Sequence, residues 1–176
     1  MQRIFLTGYM GAGKTTTGKR LSEQLGLSFI DLDHFIEKRY YKSVRQIFEE
    51  KGEDGFRELE RKHLREVGGF ENVVISTGGG TPCFHENMDF MNQSGTTVYL
   101  KVPVDELAKR LEQGKNIRPV LKGRTGEELK RFIEESLSKR SRNYEQAQII
   151  FDATAAGSKT NMTALIRQIE NASGDL

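Results

Sequence analysis

The chain reads as an α/β protein, an open parallel sheet with helices packed on both faces. Three observations predict this. Short β-like runs alternate with longer helical patterns from end to end, an order that calls for right-handed crossovers between parallel strands. Three of the runs, Ile4-Phe5-Leu6, Val73-Val74-Ile75 and Ile149-Ile150-Phe151, are unbroken apolar blocks, the pattern of strands covered on both faces. A glycine-rich loop, Gly8 to Thr15, joins the first block to a helical stretch, as nucleotide-binding α/β folds require.

Taken in order, strands are expected at Arg3–Thr7, Ser28–Leu32, Val73–Thr77, Val98–Val102 and Ile149–Asp152. The first helix spans Lys14–Leu25 and stops at Gly26, and a second covers Asp33–Tyr41. Ser43 followed by Gln46 forms a capping box that opens a helix over Val44–Val67, with a break near Gly52–Gly55. Further helices are expected at His85–Asn92, Val104–Gln113, Gly126–Ala147 and Asn161–Asn171. Gly114–Gly126 is different, with glycines, Pro119 and basic residues interrupting helix on both sides. A stretch of this kind is a functional loop or a disordered one. Within Phe84–Met91, the residues Phe84, Met88, Phe90 and Met91 fit a core face or a contact surface.

Bulk composition narrows the class. A length of 176 residues suits one domain, here 1–176. The single cysteine, Cys83, has no internal partner and fits a reducing, cytoplasmic setting. Net charge of +2 gives no argument for nucleic acid but suits anionic small substrates. No apolar run approaches a membrane span, and the N-terminus lacks the apolar stretch of a signal peptide. His34, His63 and His85 show no metal-ligand spacing.

Gly8-Tyr-Met-Gly-Ala-Gly-Lys14-Thr15 satisfies G-x-x-x-x-G-K-[ST] in full, between an apolar strand and a helix. Glycines let successive backbone N–H groups turn inward around a phosphate. The helix that follows presents its unpaired N–H groups to the same anion. Lys14 would reach the β- and γ-phosphates of ATP, and the Thr15 hydroxyl would coordinate Mg²⁺. A plain glycine-rich turn with an exposed lysine is the bland alternative.

Asp31 and Asp33 close the second strand, where the ligand crevice of an open α/β sheet lies. One carboxylate can help hold Mg²⁺, directly or through water. The other can accept a proton from an attacking hydroxyl. Equally, Asp33 could cap the helix it begins. Gly78-Gly79-Gly80 follows the third strand and allows a ligand close to the backbone, or is simply a flexible turn. No acid closes that strand, which shifts Mg²⁺ coordination onto Thr15 and Asp31. Arg57, Arg118 and Arg140 could pair with carboxylate or phosphate, and each taken singly could be a solvated helix-face charge.

Together these landmarks resemble the shikimate kinase family. They are Gly8–Thr15, Asp31-x-Asp33, Gly52-Glu53-x-x-Phe56-Arg57-x-x-Glu60, Gly78-Gly79-Gly80-x-Pro82, Arg118-Pro119 and Arg140-x-x-x-Tyr144, in the family's order over residues 3 to 153. The resemblance implies a three-layer P-loop kinase fold with sheet order 2-3-1-4-5, a substrate-binding helical region near 33–61 and a mobile lid near 112–126. It implies ATP-dependent phosphorylation of the 3-hydroxyl of shikimate by a cytoplasmic enzyme, expected to be a monomer, with Mg²⁺ and no nucleic-acid or membrane partner. ATP would be held by Gly11, Ala12, Gly13, Lys14, Thr15 and Thr16, with Arg110, Arg118 and Lys159 further along the nucleotide. Shikimate would be held by Asp33, Arg57, Gly79, Gly80 and Arg140, with Glu60 positioning Arg57. Lys14, Asp33 and Arg118 would be catalytic, and Thr15 would hold the metal with Asp31 through water. Where the family pattern places a proline before Tyr144, this chain has Arg142. A gluconate kinase and a nucleotide-binding regulatory module are the alternatives.

Overall fold

The computed structural model describes residues 2–114, 121, 123–155 and 159–174. Five strands, β1 (Arg3–Thr7), β2 (Ser28–Asp31), β3 (Val73–Ser76), β4 (Thr96–Lys101) and β5 (Ile149–Asp152), form one sheet in the order β2-β3-β1-β4-β5. Every adjacent pair runs parallel. The connections carry α1 (Lys14–Leu25), α2 (Leu32–Tyr40), α3 (Val44–Val67), a 3₁₀ turn (Thr81–Cys83), α4 (Asn87–Ser94), α5 (Val104–Gln113) and α6 (Gly126–Tyr144), and α7 (Lys159–Ser173) follows β5.

The period of two along each strand divides the interior into two cores. Ile4, Leu6, Val74, Val98 and Leu100 face one way and pack with Leu21, Leu107, Ile133 and Leu165 from α1, α5, α6 and α7. Phe5, Val73, Ile75 and Tyr99 face the other way and meet Ile36, Leu64 and Met91 from α2, α3 and α4. The apolar block of β5 is the exception to two-sided burial. Ile149 and Phe151 are buried, but Ile150 is 48% exposed, because β5 is an edge strand covered on one face. In the Phe84–Met91 run, Met88 and Met91 are core and Phe90 packs beside them.

Local chemistry sets the helix limits. Gly26 adopts φ 66° and ends α1 in the left-handed conformation. Ser43 and Gln46 make both bonds of the capping box at the start of α3. Gly52, at φ 69° and ψ −177°, breaks α3 into two arms. Helix α6 runs unbroken through Arg142 to Tyr144, since arginine, unlike proline, keeps the donor that a helix interior needs.

The α2–α3 pair is tied from within. His63, 1% exposed, places Nδ1 at 2.8 Å from Glu66 Oε2 and Nε2 at 3.0 Å from the Tyr40 hydroxyl. A carboxylate only accepts, so Nδ1 carries a proton. Arg39 adds a second bond to Glu66 at 2.6 Å. The His63 bond first, and Arg39 with it, hold the Glu66 carboxyl below its ordinary range.

Close packing of α1 on the sheet gives a stability prediction. A Cβ at Gly18 would stand 2.4 Å from Phe29 Cε2 and 3.2 Å from Leu6 Cδ1. Gly18→Ala is therefore expected to destabilise the protein by about 1–3 kcal/mol despite alanine's better helix propensity, measured by urea unfolding. Among the described residues, no helix is long and apolar enough to cross a membrane.

Candidate active site

The carboxyl ends of β1, β2 and β3 lie side by side and bring three loops together. The first is Gly8–Thr15. Gly8 adopts φ 139°, and a Cβ there would stand 2.8 Å from the Leu100 carbonyl oxygen, so only glycine fits. Gly13 (φ 90°) precedes α1 without any side-chain cap, which leaves first-turn N–H groups to an incoming anion. Lys14 Nζ donates to the Gly8 and Tyr9 carbonyls at 2.8 and 3.0 Å, which holds the ammonium along the loop.

Asp31 is the last residue of β2 and pairs in register with Ser76 of β3. The carboxylate missing from the third strand is thus supplied at the same level by its neighbour. Asp31 Oδ2 accepts from the Thr15 hydroxyl at 2.8 Å, and Oδ1 accepts from the His34 N–H at 3.2 Å. Asp31, and not Asp33, therefore caps α2. The two aspartates also do not share an extended segment, because Asp33 stands in the first helical turn.

Two cavities open here. One, of about 340 Å³, is lined by the phosphate loop with Asp31, Asp33, Ser76, Thr77, Gly78, Gly79 and Arg110. The other, of about 650 Å³, combines Met10, Val44, Phe48 and Phe56 with Asp33, Arg57, Glu60, Gly78, Gly79, Gly80 and Arg140. Asp33, Gly78 and Gly79 line both. The second cavity has an apolar wall and three arginines, Arg45, Arg57 and Arg140, which suits a small ring bearing a carboxylate.

Arg57 is not a solvated helix-face charge. It is 8% exposed, donates to Glu60 Oε2 from Nη1 at 2.8 Å and reaches Glu53 Oε1 from Nη2 at 3.4 Å. The Phe84 ring lies 4.2 Å from its guanidinium carbon, a cation–π platform. Its Nε is buried without a hydrogen-bond partner among the described residues. Gly78 and Gly80 make room for neighbouring side chains rather than for an unusual turn, since none of the triplet is among the residues with positive φ. At Gly80 a Cβ would meet Arg57 Nη2 at 2.5 Å.

Arg140 lies over the Tyr9 ring at 5.8 Å. One turn on, the fully buried Tyr144 donates its hydroxyl to the Gly79 carbonyl. Burial pushes the Tyr144 phenol well above its ordinary range, so it stays a donor, while Arg140 beside it acts in the opposite direction. Arg110 lines the cavity of the phosphate loop and is fixed there by its neighbours. Its Nη2 donates to the Ala153 and Thr154 carbonyls at 3.1 and 2.7 Å, and its Nε pairs with Glu106 at 2.8 Å.

Of the residues expected at the site, Gly11, Gly13, Lys14, Thr15, Thr16, Asp31, Asp33, Arg110, Arg57, Gly79, Gly80 and Arg140 line one cavity or both. Ala12, in the same loop, is 1% exposed and packs into the core. Arg118 and the side chain of Lys159 lie outside the described residues. The ends of the expected lid segment are joined by the Gly126 N–H, which donates to Glu112 Oε1 at 2.6 Å. The wall residues Met10, Val44 and Phe48 are not among the site residues expected from sequence, and Phe84, expected in a core face or a contact surface, is instead the platform under Arg57.

Known proteins resemble this chain in sequence and in fold. The sequence profile of the family described as shikimate kinase matches residues 10–170. A shikimate kinase of Parabacteroides distasonis is 67% identical over 87% of this chain and 88% of its own length. The crystal structure of shikimate kinase from Bacteroides thetaiotaomicron superposes with a TM-score of 0.90 at 52% identity, covering 97% of each chain. A shikimate kinase from Acinetobacter baumannii, solved in complex with shikimate, gives a TM-score of 0.85 at 34% identity over 100% of this chain and 96% of that one. A gluconokinase from Sinorhizobium meliloti, 17% identical with a TM-score of 0.57, shares the fold alone.

Proposed function

The chain belongs to the shikimate kinase family and phosphorylates shikimate with ATP, and from that premise we propose that the acceptor is the 3-hydroxyl and that Asp33 receives its proton. The observation that carries the assignment is the place of Asp33, on the boundary between the phosphate cavity and the arginine-lined cavity. A hydroxyl lying between the two would have the carboxylate on one side and the transferring phosphoryl group on the other.

The phosphate loop and the open N-terminus of α1 would hold the β-phosphate, and Lys14 would leave its loop carbonyls for the phosphoryl oxygens. Arg57 and Arg140 would take the acceptor's carboxylate, with Gly79 and Gly80 beside it. Transfer of this kind is mostly positioning and charge stabilisation, so pre-aimed donors matter more than covalent chemistry. Arg118 enters on the family resemblance alone, as a further cation for the phosphates.

The residues present fit magnesium. Thr15 Oγ1 and Asp31 Oδ2, 2.8 Å apart, are hard oxygen donors beside the phosphate loop. Magnesium prefers oxygen ligands, keeps several of its waters and takes phosphate oxygens, so it asks few ligands of the protein. Thr15 would bind directly and Asp31 through water. When bound, the ion neutralises charge on the phosphates.

A coupled assay of ADP release tests acceptor identity. Rapid release with shikimate and background release with gluconate are expected; equal rates would move the assignment to a broader hydroxy-acid kinase. A regulatory nucleotide-binding module would release no more ADP with shikimate than without it.

A further inference from the structure

Glu60 is 1% exposed, and both of its oxygens are engaged. Oε2 takes Arg57 Nη1 at 2.8 Å, and Oε1 lies 2.5 Å from Thr81 Oγ1. A carboxylate only accepts, so the Thr81 hydroxyl is the donor. Thr81 is itself fully buried and opens the 3₁₀ turn directly after Gly80. Its N–H donates to the Gly78 carbonyl at 3.2 Å. Its own carbonyl accepts from Asn87 Nδ2 at 3.0 Å, and Asn87 Oδ1 accepts from Arg65 Nη1 at 3.0 Å. The hydroxyl is therefore fixed from the sheet side and from α4.

Gly78 shows what that hydroxyl separates. A Cβ on Gly78 would stand 3.0 Å from Asp33 Oδ1, 3.0 Å from Thr81 Oγ1 and 3.1 Å from Glu60 Oε1. Two carboxylates and one hydroxyl thus converge on a single point, and the hydroxyl gives its proton to one of the carboxylates. Without it, Glu60 Oε1 would be a buried acceptor with no donor, facing Asp33 across Gly78. Rotation of Glu60 would relieve this and would carry the Arg57 guanidinium with it, away from the position set by Phe84 and Gly80.

We propose that Thr81 is a positioning residue for acceptor selection: through Glu60 it aims Arg57, and it thereby sets the preference for a carboxylate over its neutral amide. This rests on the assignment of Arg57 to the acceptor's carboxylate. A misaimed arginine loses most against an anion and little against an amide, since the charge-assisted bond depends on both distance and alignment.

The test compares KM for shikimate, KM for its carboxamide and KM for ATP in the wild type, Thr81→Val and Thr81→Ser. Valine keeps the shape and removes the hydroxyl; serine keeps the hydroxyl. Thr81→Val is expected to raise the shikimate KM by about tenfold or more. The carboxamide and ATP values should move by less than about threefold, and Thr81→Ser should restore the preference. Equal rises for acid and amide would mean a generally loosened site and would overturn the proposal, as would no change in the preference. Should Thr81→Val fail to fold by circular dichroism, Thr81→Ala carries the same comparison without the added methyl. No turnover of shikimate by the wild type would remove the kinase assignment itself; turnover with an unmoved preference in the variant would remove only the role of Thr81.

Discussion

Asp33→Asn is expected to lower kcat for shikimate phosphorylation by about 100- to 10,000-fold, the range spanned by losing a positioned acid–base group. The amide matches the carboxylate in shape and keeps one oxygen acceptor, so the acceptor can still be oriented, but it cannot take up a proton at neutral pH. ATP affinity should change by no more than about twofold, because Asp33 touches the nucleotide side only at the boundary of the phosphate cavity. Steady-state ADP release gives kcat, and titration calorimetry gives ATP affinity separately. A variant that turns over near the wild-type rate would show that Asp33 only orients. A variant that also loses ATP would place Asp33 on the nucleotide.

Most of the frame was legible because its signals are local. The apolar blocks of β1 and β3 marked strands buried on both sides. Gly26, Gly52 and the Ser43–Gln46 pair marked helix ends and a break, each through a backbone conformation or bond specified within a few residues. The phosphate loop was legible for the same reason. What escaped depends on contacts distant in sequence. Ile150 sits in an apolar block but is exposed, because edge position is a property of strand order, which the block itself does not contain. Arg57 taken singly resembled a surface charge, since its burial depends on Gly80 and Phe84, which arrive together from the segment around the 3₁₀ turn after β3. The cap on α2 went to Asp31, because the helix starts one residue earlier than expected. Glycines 78 to 80 were legible as unusual, yet the reason for Gly78 and Gly80 is room for neighbouring side chains and could not be read without those neighbours.

The second large effect belongs to Arg57, and it separates affinity from stability. Arg57→Ala is expected to weaken shikimate binding by about a hundredfold or more, the cost of truncating one member of a buried, hydrogen-bonded charge pair, while ATP binding stays within about twofold. The same change should cost about 3–5 kcal/mol of folding free energy, because it leaves the carboxylate of Glu60, 1% exposed, without its guanidinium. The two losses have different cures. Adding Glu60→Gln to Arg57→Ala removes the stranded charge, and the neutral amide can still accept from Thr81. Urea unfolding of the double variant should therefore recover much of the stability, and calorimetry with shikimate should recover none of the affinity. Recovery of both would mean that Arg57 supports the pocket only indirectly. Recovery of neither would mean that its packing against Phe84 outweighs its pairing with Glu60. The expected split, stability restored and affinity still lost, is the signature of an arginine that Glu60 holds in place and that the acceptor's carboxylate uses.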